Sequence, residues 1–217
     1  EVPLELRRQC LDDVVLDLLE IEAPATDLAE WSRIVECVKN PSAGTVRIAV
    51  VGKYTELVDA YKSVQQALIH GGIANDVRVK IEWVSSERYE AGALEHHFEG
   101  FDGLLIPGGF GDRGIEGMLM AIEWAREDGL PFFGICLGLQ CAIIEFARNV
   151  CGKTDANSVE FSPSTADPVI CLMDSQQQVT TKGGTMRLGG YAASLREGSR
   201  VEAVYADREI KERHRHR

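Results

Sequence analysis

Apolar residues follow two different periods along this chain, and the change between them falls near residue 44. Before it, Leu11, Val14, Val15, Leu18 and Leu19 recur at helical spacing, and after Pro24 a second stripe of Leu28, Trp31, Ile34, Val35 and Val38 does the same. Asp27 followed by Glu30 has the spacing of a capping box at the start of that second helix. Asn40-Pro41-Ser42-Ala43-Gly44 then interrupts the pattern, because proline lacks an amide donor and glycine favours conformations that end helices. Residues 1–43 are too few and too one-sided to bury a core of their own. They read as a connector or the tail of a preceding domain, and residues 44–217 as one domain.

Beyond Gly44 short apolar runs alternate with helical stripes. Val46 to Val51 is nearly continuous, as in a strand buried on both faces. Tyr61, Val64, Ala67 and Leu68 predict a helix ending at Gly71-Gly72. Val77, Val79, Ile81 and Trp83 alternate as in a strand, and Leu104 to Ile106 is a third strand closed by Pro107-Gly108-Gly109. A stripe of Ile115, Met118, Leu119 and Ile122 follows, then a strand over Pro131 to Ile135. Leu139, Ile143, Phe146, Ala147 and Val150 line the next helix, and Val169 to Met173 predicts a late strand. The alternation predicts an α/β fold with an open, mostly parallel sheet and helices on both faces, preceded by linker helices. Ligands in such sheets sit beyond the carboxyl ends of the strands.

Composition narrows the function classes. Hydrophobic residues make up 45% and charged residues 26%, ordinary for a folded globular chain. The formal net charge of −11 disfavours nucleic acid as a partner, since phosphates would be repelled. The short basic run Lys211 to Arg217 does not reverse that balance. No apolar run is long enough to span a bilayer, so no membrane partner is expected. The cysteines at 10, 37, 136, 141, 151 and 171 form no Cys-x-x-Cys pair, and no Cys/His spacing fits a zinc site. Without a secretory signal the expectation is a cytoplasmic protein with free thiols, five of them plain packing residues, and no metal.

The sixth cysteine differs in its surroundings. In Phe133-Gly134-Ile135-Cys136-Leu137-Gly138-Leu139-Gln140 a glycine stands two positions to either side of Cys136, at a strand-to-helix junction. Small residues at that spacing permit the sharp corner of a nucleophile elbow. Such a corner sets the sulfur beside a helix N-terminus, where unpaired N–H groups favour thiolate, so a lowered thiol pKa is expected. One β-α unit earlier, Pro107-Gly108-Gly109-Phe110-Gly111-Asp112-Arg113-Gly114 is a glycine-rich loop whose backbone N–H groups can approach a ligand closely. With the N–H of Leu137, the N–H of Gly109 would face the oxyanion of an acyl-transfer intermediate.

These segments together resemble the class I, triad-type glutamine amidotransferases, and among them the CTP synthases. Val51-Gly52-Lys53-Tyr54, Asp59 to Val64, Gly183-Gly184-Thr185-Met186-Arg187-Leu188-Gly189 and Glu212-Arg213-His214-Arg215-His216-Arg217 carry the narrower likeness, which runs from about Val46 to Arg217 and extends weakly into the leading helices. The resemblance implies a flavodoxin-like glutaminase domain in which Cys136 attacks L-glutamine and forms a glutamyl thioester. It implies substrate-binding positions at Gly109, Leu137, Gly138, Leu139 and Gln140. Glu160 would meet the α-ammonium group and Arg217 the α-carboxylate, one partner of each sign for a zwitterion. Arg113, Gly114 and Glu116 lie in the loop linked to a GTP effector. For the full-length protein it implies ATP and Mg at a separate amidoligase domain of the same polypeptide, amination of UTP to CTP, and a homotetramer. No cofactor is implied within this chain, and residues 1–43 would be the end of the amidoligase domain and its linker.

The family's triad is completed by a His-Pro-Glu motif, which does not occur in these 217 residues, so the expectation is a chain truncated at both ends. His70, His96, His97, His214 and His216 are the remaining candidates for a base. Two other readings stay open: the glutaminase part of a different triad amidotransferase, and a degenerate domain kept for assembly.

Overall fold

The computed structural model describes residues 1–57, 59–91, 98–176, 178–179 and 184–215. Three helices lead: α1 (Val2–Arg8), α2 (Leu11–Leu19) and α3 (Ala29–Lys39), none of which buries a residue. The expected capping box at α3 does not form. Asp27 instead accepts from the Ala29 N–H at 2.8 Å, and Glu30 is drawn off by the Arg33 guanidinium at 2.6 Å.

Four parallel strands build the central sheet: β1 (Thr45–Gly52), β2 (Arg78–Ser85), β3 (Gly103–Ile106) and β4 (Phe132–Gly134), in the order β2-β1-β3-β4. The register sets Ile48 beside both Ile81 and Gly103, and Leu104 beside Phe132. The chain reverses its direction of travel across the sheet between β1 and β3, which opens a crevice at their carboxyl ends. Helix α4 (Lys62–Ala74) covers one face, with Leu68 near Ile48 and Leu105. The short α5 (Ser86–Glu90), α6 (Ile115–Glu127) and α7 (Leu137–Asn149) cover the other. That second face holds the main core, in which Ala49, Val51, Leu104 and Ile106 of the sheet meet Met118, Ile122, Leu137 and Ile144 of the helices. Strand alternation explains the split, since Val50 and Leu105 are buried as well but point the other way.

After α7 come β5 (Ala156–Ser158) and β6 (Asp167–Ile170), a parallel pair. The expected strand over Val169 to Met173 is therefore shorter and earlier. The last elements are β7 (Arg187–Ser194), α8 (Arg200–Tyr205) and β8 (Glu209–Arg215), with β7 and β8 paired antiparallel in a sheet of their own.

Two further sequence expectations are corrected by α4 and by the cysteines. Helix α4 runs through Gly71-Gly72 instead of ending there. A Cβ on Gly72 would lie 2.8 Å from both the Val77 carbonyl oxygen and a Val79 methyl, so that glycine lets the helix lie close against β2. The cysteines are also less buried than expected. Cys141 alone of the five is buried, Cys37 is half-buried, and Cys10, Cys151 and Cys171 are exposed. Cys10 sits in a left-handed corner between α1 and α2, at a φ of 54°, where no core reaches it.

Candidate active site

Cys136 stands between β4 and α7 with φ 51° and ψ −101°, a backbone conformation rare for a residue with a side chain. Strain of this kind costs about 1–3 kcal/mol and persists only where the surroundings enforce it. Here they do. A Cβ on Gly134 would lie 2.5 Å from the Gly138 carbonyl carbon, and one on Gly138 would lie 2.2 Å from the Ile106 carbonyl oxygen. The two glycines let strand, corner and helix touch backbone to backbone, and the corner turns the cysteine outward.

The glycine loop after β3 lies alongside. A Cβ on Gly108 would meet that of Cys136 at 3.5 Å, and one on Gly109 would meet the Leu137 side chain at 3.2 Å. The N–H groups of Gly109 and Phe110 donate to no group among the described residues. The Leu137 N–H faces the sulfur and favours its ionised form. Together these surfaces bound a cavity of about 470 Å³ whose other walls come from Tyr54, Tyr61, Val64 and Arg215. The Cys136 thiol donates to the Arg215 carbonyl oxygen at 3.6 Å, so the end of β8 lies against the nucleophile.

The thiol is not lowered as the helix N-terminus led us to expect. Burial pushes it up, the Glu160 carboxylate adds to that, and the Leu137 N–H and Arg215 oppose it without prevailing. Desolvation of a half-buried sulfur outweighs one amide donor. Cys141, one turn further along α7 and fully buried, is pushed up to about 12, mainly by burial.

The cavity brings together Cys136 and Gly109 of the expected substrate-binding group, and Leu137 supplies its N–H. Gly138, Leu139 and Gln140 form the first turn of α7 without lining the cavity; Gly138 packs on Ile106 and Leu139 is exposed. Glu160 is half-buried, close enough for its charge to act on both Cys136 and Lys53. Arg217, His96, His97 and His216 lie outside the described residues. His70 is exposed on α4 and the His214 ring packs 4.9 Å from that of Tyr191; neither lines the cavity.

The loop candidates divide. Arg113 pairs with Glu87 at 3.1 Å and borders a second, more polar cavity of about 400 Å³ shared with Lys53, Tyr54 and Arg88. Gly114 caps α6 at a φ of 67°, and a Cβ there would strike the Ser86 hydroxyl at 2.3 Å. Glu116 is turned toward α7, held by Arg148 at 3.0 Å. Sequence reasoning did not single out Lys53, Tyr61 or Arg215 as site residues. Lys53 and Tyr61 belonged to stretches recognised only as a likeness, and Arg215 reaches the cavity through the long-range placement of β8.

Among the described residues no cluster of His, Cys, Asp or Glu could hold a metal ion, and no helix is long and apolar enough to cross a membrane.

A strained cysteine at a strand-to-helix corner, facing a glycine loop on a parallel sheet covered on both faces, is an arrangement suited to thiol acyl transfer. Residues 56–217 match the family model for class-I glutamine amidotransferases, and the chain belongs to that family. Within it the chain falls with the glutaminase domains of the CTP synthases. It is 51% identical over 216 residues to the CTP synthase of Geobacter sulfurreducens and 52% identical over 218 residues to that of Cytophaga hutchinsonii. Both matches cover all of this chain but only 40% of those proteins. The glutaminase domain of Trypanosoma brucei CTPS, solved with bound acivicin, superposes with a TM-score of 0.68 at 38% identity, covering 79% of this chain and 67% of that one.

Proposed function

We propose that this domain hydrolyses L-glutamine through a thioester on Cys136, and that the whole protein uses the ammonia to aminate UTP to CTP with ATP. The observation that carries the reading is the strained Cys136 corner set against the Gly108-Gly109 loop, with the Leu137 N–H on the sulfur. The sulfur attacks the γ-carbonyl carbon, and the oxygen becomes an oxyanion facing the Gly109 and Leu137 N–H groups. Collapse breaks the C–N bond, and ammonia leaves as the nitrogen takes up a proton. Water then cleaves the thioester to glutamate and restores the thiol. The base that accepts the thiol proton and returns one to nitrogen is the histidine of the implied His-Pro-Glu pair, a motif these 217 residues do not contain. Burial raises the thiol, and this reading assigns the removal of its proton to that base.

In this reading Glu160 holds the α-ammonium group and Arg217 the α-carboxylate, with Gly138, Leu139 and Gln140 supporting the substrate from the first turn of α7. Arg113, Gly114 and Glu116 belong to the loop through which GTP would act. The ATP and Mg chemistry belongs to an amidoligase domain of the same polypeptide, of which residues 1–43 are the tail and linker. The assembled protein is a cytoplasmic homotetramer.

Two measurements test the core of this. Acivicin should add to the chain at Cys136, seen as one modified peptide by mass spectrometry, and the Cys136→Ala variant should carry no such adduct. In the full-length protein Cys136→Ala should abolish glutamine-dependent CTP formation and spare ammonia-dependent formation. Glutamine-dependent turnover that survives the substitution would refute the assignment.

A further inference from the structure

Among the described residues, Lys53 is the buried cation beneath the candidate oxyanion loop. It follows β1 directly, is 7% exposed, and its side chain runs under Gly109, with Cδ 3.9 Å from where a Cβ on that glycine would be. Its ammonium donates to the Gly111 carbonyl oxygen at 2.5 Å and to that of Phe110 at 3.3 Å. Burial lowers its pKa and the Arg113 charge adds to that, while the carboxylates of Asp112 and Glu160 oppose it. The backbone of Lys53 is fixed in turn. The Tyr61 hydroxyl oxygen accepts the N–H of Lys53 at 3.2 Å and that of Tyr54 at 3.3 Å, and the Tyr61 ring stacks on Trp83 at 5.6 Å, 8° from parallel.

A glycine-rich loop has little side-chain packing with which to hold a shape, and glycine leaves its backbone the widest choice of conformations. Donors that stabilise an oxyanion are effective only when they need not reorganise during the reaction. In a trans peptide the C=O and N–H point in opposite directions. Drawing the Phe110 and Gly111 carbonyls onto the ammonium therefore turns the N–H groups of Gly111 and Asp112 away from it and anchors the far end of the loop, while the Lys53 stem packs beneath Gly109, whose N–H is the candidate donor.

We propose that Lys53 is the positioning residue of the oxyanion loop, an internal strut that holds Pro107–Gly111 in its donating conformation without touching substrate. The inference rests on the thioester reading of Cys136, and it assigns Lys53 a part in stabilising the oxyanion rather than in ionising the thiol. The charges that act on the Cys136 thiol are those of Glu160 and Arg215.

The test compares two electrophiles on the whole chain at one pH, following Cys136 alone by peptide mass spectrometry. Iodoacetamide alkylates a thiolate by displacing iodide and forms no oxyanion. A glutamine-shaped chloromethyl ketone alkylates the same sulfur with loss of chloride, and its carbonyl oxygen lies where the loop donors act. Lys53→Met should slow the ketone about tenfold or more, a part of the roughly 10²–10³ that one oxyanion donor is worth, and leave the iodoacetamide rate within about twofold. Lys53→Arg, which keeps a cation able to reach both carbonyls, should restore most of the ketone rate. Should Lys53→Met fail to fold by circular dichroism, Lys53→Gln, too short to reach both carbonyls, carries the same comparison. Equal effects on both reagents, or none on either, would overturn the strut. Wild-type protein that does not prefer the glutamine-shaped ketone over chloroacetone would instead remove the glutaminase reading, and this inference with it.

Discussion

At the scale of single residues the site is a contest between burial and local dipoles at one sulfur. Cys136 is held at the start of α7, where one backbone N–H favours the thiolate, yet desolvation and the Glu160 carboxylate together raise the thiol. A raised thiol pKa means that the fraction ready to react climbs only at higher pH than for an ordinary cysteine. Removing the negative charge favours ionisation, so Glu160→Gln should move the pH profile of Cys136 alkylation by iodoacetamide toward lower pH. A profile that stays put or moves upward would show that Glu160 does not act on the sulfur. The same shift has a sign for stability: the folded state's preference for the neutral thiol is fully present below the unfolded pKa and is lost as pH rises through the folded one.

At the scale of elements, glycines decide how closely helices approach the sheet. Gly71 and Gly72 are neighbours in α4 with opposite surroundings. A Cβ on Gly71 would meet nothing within 4 Å, whereas one on Gly72 would press on the Val77 carbonyl and the Val79 side chain at 2.8 Å. Gly71→Ala should therefore stabilise the chain by about 0.5–1 kcal/mol, by reducing the freedom of the unfolded backbone. Gly72→Ala should destabilise it by roughly 1–3 kcal/mol through overpacking. Urea unfolding of the two variants beside the parent would check the pair, and equal effects would contradict this packing. Both glycines look alike in the sequence, where they read as a helix stop. Helix α7 gives the matching lesson. Its apolar residues occur around most of the circumference, and the stripe of Leu139, Ile143, Phe146, Ala147 and Val150 read from the sequence divides: Ala147 is buried and the other four are exposed, while Leu137, Cys141 and Ile144 face the core. Period identifies a helix, but a helix apolar on two sides does not say which side the sheet will take.

At the scale of the whole molecule, the exposed side of α7 is its least settled surface. Ile143 and Phe146 lie over an apolar groove with Ala142, Cys151 and Val169, and on the other face of the sheet Phe133 is 64% exposed. Contiguous apolar surface of this kind promotes association. The double substitution Ile143→Lys, Phe146→Glu should lower dye binding by an apolar fluorophore and light scattering at high protein concentration, with little change in the melting temperature. A collapse of the melt would show that these side chains support the core rather than a free face.

Sequence by itself determined the alternation of strands and helices and the sharp corner at Cys136, because each is written in local spacing: strand period, helix period, and glycines two positions either side of one sulfur. Tertiary structure alone decided which face of α7 is buried, that Lys53 after β1 meets the glycine loop and is itself held by Tyr61, that Arg215 reaches the nucleophile from β8, and that the thiol is raised. Those features depend on segments tens of residues apart meeting in space, and on how much water the meeting excludes. No local period carries that information.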